Sequence, residues 1–439
     1  MRKPGKGWLI LLAFTLILST AAPALADPED SEDPDESIDV PIEWDADAPP
    51  DIVGEMAIIV DMDTGEILYS KAGDQRGYPA STTKIVTALL FAEERSPDDT
   101  LFYTQSALDQ PSYSLHRDYG PIPLEYAMQG RDVMDALLIY SANDVAAMVA
   151  DDLGGDQEGF VEMVNSYFDS LGLENTQFAN PNGVHSEEHY TTAYELSILT
   201  REAFSNPWIR EVLQIPEVNI PTPRGTVRAL NSNRKLQNGD PVFSKTGYTP
   251  AAGRCLVALY ERDGRRLAGV VLDSFFDNED TVVFRDMDLL MDWGFNHAER
   301  TVAFAEGVTL DYLTLEYRPL RFFGPTYEEE IPAVLAESFS YFANEVNENE
   351  LDVDYTFDEG ITIRNLDSET SIGTAVFRER ERETPIDLYP EFAGFSMFRR
   401  HTGLYLGTFF GGLIGLILIA GLIGALRRIN RKRNKNVRF

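Results

Sequence analysis

The sequence predicts a mixed α/β fold of the α+β kind: an antiparallel sheet flanked by helices, with a mainly helical lobe, then a small β-sandwich module and one transmembrane helix. Three observations predict it. The runs Met56 to Asp63 and Glu66 to Ser70, turning at Asp63-Thr64-Gly65, and Arg254 to Tyr260 and Leu267 to Leu272, turning at Asp263-Gly264, read as strand pairs. Between them, apolar residues recur at helical spacing, as in Ile85, Ala88, Leu89 and Ala92, and again from Val133 to Tyr140. Near the far end, Gly403 to Leu426 is 24 uncharged, mostly apolar residues, about 36 Å as a helix and so long enough to span a bilayer.

Taken in chain order, Arg2, Lys3 and Lys6 precede an apolar run from Trp8 to Leu18, and Ala24-Leu25-Ala26 fits a small-x-small cleavage site. Residues 1–26 are therefore expected to be a secretory signal peptide. Residues 27–52 follow as an acidic linker: Asp27 to Asp51 holds twelve acidic residues, no basic ones and several prolines, and cannot bury a core. An interaction tail is the alternative.

Residues 53–298 are expected to form the catalytic domain, because three short motifs stand there in order. After the polar Lys71 to Pro79 loop, Ser81-Thr82-Thr83-Lys84 opens a helix, where unsatisfied N–H groups and the helix dipole favour developing negative charge. Residues three apart share a helix face, so Lys84 comes up beside the Ser81 hydroxyl, and a desolvated lysine near a second cation can act as a base. Ser141-Ala142-Asn143 lies between two helices and can turn both polar side chains into one cleft, Ser141 to relay a proton and Asn143 to orient a substrate amide. Lys245-Thr246-Gly247 lies on the strand Val242 to Tyr248. At an edge beside the cleft such a strand accepts an extended peptide by main-chain pairing, Gly247 allows close approach, and Lys245 and Thr246 offer charge and hydroxyl to a terminal carboxylate. Each motif alone also fits a plainer role: Ser81, Ser141 and Asn143 as helix caps, Lys84 and Lys245 as surface lysines. The ordered set is what points to acyl transfer through a serine ester.

The set Ser-x-x-Lys, Ser-x-Asn, Lys-Thr-Gly resembles that of the penicillin-binding proteins and serine β-lactamases. Its flanks, Pro79-Ala80 before Ser81, Asp144 after Asn143, Tyr248-Thr249 with Ala252-Gly253, Leu171-Gly-Leu, Asn175-Thr and Asn180-Pro-Asn-Gly183, resemble the serine D-alanyl-D-alanine carboxypeptidases, the low-molecular-weight penicillin-binding proteins of peptidase family S11. The likeness covers roughly residues 53 to 298. It implies a β-lactamase/transpeptidase-like catalytic domain with Ser81 as acyl-ester nucleophile, Lys84 as general base and Ser141 as proton relay. It also implies substrate binding by Asn143, Lys245, Thr246, Gly247, Tyr248 and Thr249, with an oxyanion hole from the N–H groups of Ser81 and Tyr248. Some family members carry an arginine in the stretch matching Leu230 to Asn233, where this chain has Ser232. That leaves open which cation joins Lys245 at the carboxylate. The implied reaction is removal of the terminal D-alanine from peptidoglycan stem pentapeptides, with β-lactams as covalent ligands and no cofactor.

Residues 299–397 are expected to be a β-rich, membrane-proximal module, with strands at Thr301 to Phe304, Val308 to Tyr317, Leu351 to Phe357, Ile361 to Ile363 and Thr374 to Phe377, and one helix at Ile331 to Phe342. A spacer and a docking surface are both open readings of it. Beyond the membrane helix at 403–426, the tail 427–439 carries seven cations and no acid, which places it in the cytoplasm and everything before it outside. Setting aside the seven cations of the tail and the three of the leader leaves 27 basic against 72 acidic residues, a surface that makes nucleic acid a poor partner. Gly403, Gly407, Gly411 and Gly415 recur every fourth residue and predict a ridge on which a homodimer can pack. Cys255 reads as a small core residue, and the five histidines show no metal-ligand spacing, so no metal is expected. Rival activities are a peptidoglycan endopeptidase, a β-lactamase, weakened by Ser-Ala-Asn where class A enzymes have Ser-Asp-Asn, and a silent receptor for peptidoglycan or β-lactams.

Overall fold

A computed structural model describes residues 48–233, 235–236, 242–277 and 281–435. The leader expected at 1–26 lies outside the described residues, as do nearly all of the 27–52 linker and the last four residues of the basic tail.

The first part of the described chain is built on a five-stranded sheet in the order Ile67–Lys71, Met56–Asp61, Arg265–Ser274, Gly253–Arg262, Val242–Thr249, antiparallel throughout. Its strands are apolar on both faces because both faces are covered. Met56, Ile58 and Val60 point into the core shared with the helical lobe, while Ala57 and Ile59 point to the opposite side, against Val283, Met287 and Leu290 of helix Thr281–Asn296. The period of two is intact, but it separates two cores rather than a core from water. The hairpin at Asp263 and Gly264 turns with φ of 51° and 81°, the left-handed pair that matches strand twist. The last strand, Val242–Thr249, has a single neighbour, Gly253–Arg262, so its outer edge borders the cleft.

Helix Lys84–Glu94 is the buried axis of the helical lobe, its residues 84–91 all inside. Around it stand Asn143–Gly154, Ala193–Ser205 and Pro207–Leu213. The expected helix from Val133 to Tyr140 is divided. An α-helix runs Gly130–Asp135, and Ala136–Tyr140 widens into a π-turn that closes with the Ala142 N–H donating to the Ala136 carbonyl at 2.9 Å. Sequence gave no sign of the hairpin Glu217–Thr222/Gly225–Leu230.

The module after residue 299 is sheet-rich. Strands Thr309–Tyr317, Tyr327–Leu335, Glu383–Pro390, Gly373–Arg378 and Asp352–Phe357 form one sheet in that order, and Arg300–Phe304 pairs with Phe339–Phe342 in a second. Phe339 stacks on Phe377 at 4.3 Å across the two sheets. Two expectations are corrected here. Ile331 to Phe342 is not a helix but the end of one strand and the whole of the next; Ile331, Ala333 and Leu335 enter the core at every second position, and burial with that period, together with Val334, Phe339, Tyr341 and Phe342, favours strand. Ile361 to Ile363 is a turn, and its apolar character serves to bury Ile363 rather than to extend a sheet.

Helix Thr402–Lys435 is long and apolar enough to cross a membrane. Its large side chains, among them Phe409, Leu416 and Ile423, are exposed rather than packed on the rest of the chain.

Candidate active site

The chain enters the cleft through a strained corner. Ala80 has φ of 47°, and Ala80–Thr83 forms one 3₁₀ turn before the α-helix begins at Lys84. Two threonines tie this turn down: Thr82 Oγ1 donates to the Pro79 carbonyl and Thr83 Oγ1 to the Ala80 carbonyl, both at 2.7 Å. Behind them His189 Nδ1 accepts from the Ala179 N–H at 3.1 Å, which leaves Nε2 to donate to Thr83 Oγ1 at 2.8 Å. Burial, with Lys84 nearby, pulls the imidazole down to about 3 and keeps it neutral. His189 is therefore a brace for the corner. At Gly183, φ is 80° and a Cβ would stand 1.8 Å from the Ala80 carbonyl oxygen, so only glycine fits.

Lys84 is wholly inaccessible to water. Its Nζ donates to Ser81 Oγ at 2.9 Å, Asn143 Oδ1 at 2.9 Å and the Asn182 carbonyl at 2.7 Å. Burial first, then the charge of Lys245, hold this amine well below the usual lysine range; Asp144 alone pulls the other way. Asn143 is engaged at both ends of its amide, since Nδ2 donates to the Ser112 carbonyl at 2.8 Å. Asp144 is buried at the start of the same helix, where it accepts from the Tyr103 hydroxyl and from the N–H groups of His116 and Val145.

Ser141 sits at the end of the π-turn in the left-handed conformation, φ 68° and ψ 39°. That turns its hydroxyl toward the edge strand, and Lys245 Nζ donates to Ser141 Oγ at 3.0 Å and to the Thr246 carbonyl at 3.0 Å. Lys245 is also buried, and its pKa falls to about 7, through desolvation and then through Arg254. Gly247 is where the strand meets the turn that carries Ser81: a Cβ there would lie 2.7 Å from the Ser81 nitrogen and 2.9 Å from the Pro79 carbonyl oxygen. Thr246 Oγ1 and Ser232 Oγ are 3.0 Å apart.

Ser81, Ser141, Asn143, Lys245, Thr246, Gly247, Tyr248 and Thr249 all line one cavity of about 600 Å³. Lys84 lies beneath its floor. Ser141 and Lys245, 104 positions apart, are thus gathered with Ser81 and Lys84 at one point, two buried amines near a hydroxyl and a free strand edge. Sequence reading passed over several members of the wall. Tyr113, 69% exposed with φ of 62°, forms the rim; Phe276 stacks on Tyr248 at 4.2 Å; Arg254 lines the cavity one strand from Lys245; and behind the wall Asn182 supplies a carbonyl to Lys84. Only the last carried a local signal, the Asn-Pro-Asn-Gly turn. Among the described residues no cluster of His, Cys, Asp or Glu could hold a metal ion.

A family model described as D-alanyl-D-alanine carboxypeptidase, Peptidase S11, matches residues 44–275. A D-alanyl-D-alanine carboxypeptidase of Bacillus subtilis is 27% identical over 277 residues, 63% of this chain and 70% of that protein. A D-alanyl-D-alanine endopeptidase of Escherichia coli is 29% identical over 230 residues, 52% of this chain and 73% of that protein. Among solved structures, a D-alanyl-D-alanine carboxypeptidase from Mycobacterium tuberculosis superposes with a TM-score of 0.51 at 26% identity, covering 56% of this chain and 93% of the other.

Proposed function

The chain belongs to the S11 family of D-alanyl-D-alanine carboxypeptidases, and we propose that its Ser81 attacks the carbonyl between the two terminal D-alanines of a peptidoglycan stem pentapeptide. The observation that carries this reading is the 2.9 Å contact between Ser81 Oγ and a buried Lys84 whose pKa is depressed. Neutral Lys84 takes the hydroxyl proton as the Oγ–C bond forms. The oxyanion is received by the N–H groups of Ser81 and Tyr248, a pairing supported by the close approach of Gly247 to the Ser81 nitrogen. Ser141 hands its hydroxyl proton to the departing amine while taking one from the Lys245 ammonium that donates to it, the C–N bond breaks, and D-alanine leaves. Water then attacks the ester by the reverse proton path and frees the shortened peptide and Ser81.

Lys245 and Thr246 meet the free carboxylate, with Ser232 steadying the Thr246 hydroxyl and Arg254 as the second cation that Ser232 itself does not supply. Asn143 holds Lys84 in position, and its amide faces the same cavity as the substrate. The peptide pairs along the edge of Val242–Thr249, past Tyr248 and Thr249. A β-lactam enters as an analogue of the acyl-D-alanyl-D-alanine amide and stays as a slowly hydrolysed ester.

The C-terminal helix anchors the enzyme in a membrane with the catalytic domain outside and the basic tail in the cytoplasm. Protease added to intact cells would then remove everything before Gly403 and spare the tail. The strip Gly403, Gly407, Gly411, Gly415 is open along its length, and pairing of two anchors there would be abolished by Gly407→Ile/Gly411→Ile in a transmembrane association assay. The decisive experiment on activity incubates the purified protein with a stem pentapeptide and with its crosslinked dimer. Release of D-alanine from the pentapeptide is the expected result; cleavage of the crosslink alone would make the enzyme an endopeptidase.

A further inference from the structure

Seven arginines lie between residues 299 and 393, in a segment with 22 acidic residues, and they separate into two groups. Arg300, Arg378, Arg380 and Arg382 are all ion-paired. Arg318, Arg321 and Arg364 form no ion pair among the described residues. Instead they gather where the module meets the C-terminal helix: the Arg364 guanidinium donates to the Arg318 carbonyl at 3.2 Å and stacks on Phe398 at 5.0 Å. In so acidic a chain, unpaired cations collected at one end invite an anionic surface.

The same end carries the two most exposed aromatic residues of the β-module. The connection between strands Thr309–Tyr317 and Tyr327–Leu335 presents Phe322 at 80% and Phe323 at 59% exposure, with the Arg321 guanidinium 5.2 Å from the Phe322 ring. Two adjacent phenylalanines held out into water cost free energy that a hydrophobic phase would recover. The loop is fixed to the start of the long apolar helix, because the Tyr405 hydroxyl donates to the Pro319 carbonyl at 3.2 Å and Tyr317 is hydrogen-bonded to His401 at 2.8 Å. Whatever surrounds the first turns of that helix also meets the loop.

We propose that the loop 318–326 is a second membrane contact: Phe322 and Phe323 enter the boundary between headgroups and acyl chains, and Arg318, Arg321 and Arg364 meet anionic headgroups. This rests on the reading of Thr402–Lys435 as the membrane anchor. Aromatic rings and arginines favour that layer because each places an apolar body in lipid and a polar part in the headgroups. A single helix leaves a domain free to swivel about one pivot. A second contact beside it fixes the module, and with it the height and tilt of the cleft above the membrane.

The test uses the full chain in vesicles of phosphatidylglycerol and phosphatidylcholine, with an environment-sensitive fluorophore on Phe322→Cys, Cys255 being buried. Labels at Leu413→Cys in the anchor and Glu158→Cys on the catalytic domain are controls, read with lipids brominated at shallow or deep positions. Shallow quenching at 322, deep quenching at 413 and none at 158 is expected, with Arg318→Glu/Arg321→Glu lowering quenching at 322 several-fold while penicillin acylation is unchanged. A label at 322 that stays in water while 413 is quenched overturns the proposal and leaves the anchor standing. No quenching at 413 overturns the anchor itself, and the loop contact with it. Equal quenching at 322 in purely phosphatidylcholine vesicles overturns the role given to the arginines.

Discussion

The cleft and the junction beneath it bury charge in opposite ways. In the cleft, the amines of Lys84 and Lys245 are both buried and their partners are neutral oxygens of Ser81, Asn143, Asn182, Ser141 and Thr246. At the junction between the catalytic domain and the β-module, buried Glu66 meets Arg300 and Arg382, and Arg380 bridges Asp74 and Glu350. Side-chain amides complete that seam, Asn344 and Asn347 both donating to the Ile67 carbonyl at 2.9 Å. In both places burial drives the group toward its neutral form: it holds Lys84 well below the usual lysine range, and it pushes the Glu66 carboxyl up to about 7 although Arg300 and Arg382 pull it the other way. The first arrangement leaves a buried amine of low proton affinity beside a hydroxyl, while the second makes a joint.

The sharpest break in this comparison is Ser81→Ala, which should abolish covalent uptake of a labelled penicillin, seen as a missing mass shift on the intact protein. Uptake that survives would remove the cleft from the chemistry altogether. Lys84→Met keeps the length of the side chain and removes the base, and acylation should fall about 10³-fold with the circular dichroism spectrum unchanged. Next in size is Gly247→Ala. Its Cβ would be 2.7 Å from the Ser81 nitrogen, and pushing the strand off the turn should slow acylation roughly tenfold for a strain of about 1–2 kcal/mol. No effect would mean that the close approach is not needed to hold the oxyanion.

The acid–base side of the comparison is tested at Lys245, whose pKa falls to about 7. As pH rises through 7 the ammonium is lost, so kcat/KM for a peptide with a free carboxylate should decline, while an amidated peptide should not follow. Stability moves the other way. Between about 7 and the unfolded value near 10.5, the unfolded chain holds a proton that the native site does not, so folding stability rises with pH by at most ~1.4 kcal/mol per unit for this group. Lys245→Met should flatten that slope in a series of thermal melts. The smallest effect on catalysis belongs to the junction. Glu66→Gln removes the carboxylate that Arg300 and Arg382 share, although Arg382 keeps Glu379 at 3.5 Å, and should cost about 1–2 kcal/mol because both guanidinium groups keep some water. Limited proteolysis should then cut between the domains sooner, with penicillin acylation unchanged; a parallel loss of acylation would show that the two regions are coupled.

Much of this architecture was legible in local patterns. The hairpins at 56–70 and 254–272, the helix after Ser81 and the long apolar helix depend on alternation, spacing and turn residues, all carried by neighbours in sequence. Where a local window was ambiguous, as at Ile331 to Phe342, propensity pointed to helix and burial at every second position made strands. Arg254 and Phe276 in the cavity wall carried no signal, because their importance comes only from what stands opposite them. The sequence by itself determined the chemical repertoire: a serine three residues before a lysine, a second serine and a second lysine, on elements fixed by short-range periodicity. Tertiary structure decided which of these groups are charged. The pKa of a lysine depends on the water removed from around it and on cations brought near by distant parts of the chain, and Lys84, Ser141 and Lys245 meet only because a left-handed turn at 141 and the glycine at 247 let three segments close on one point.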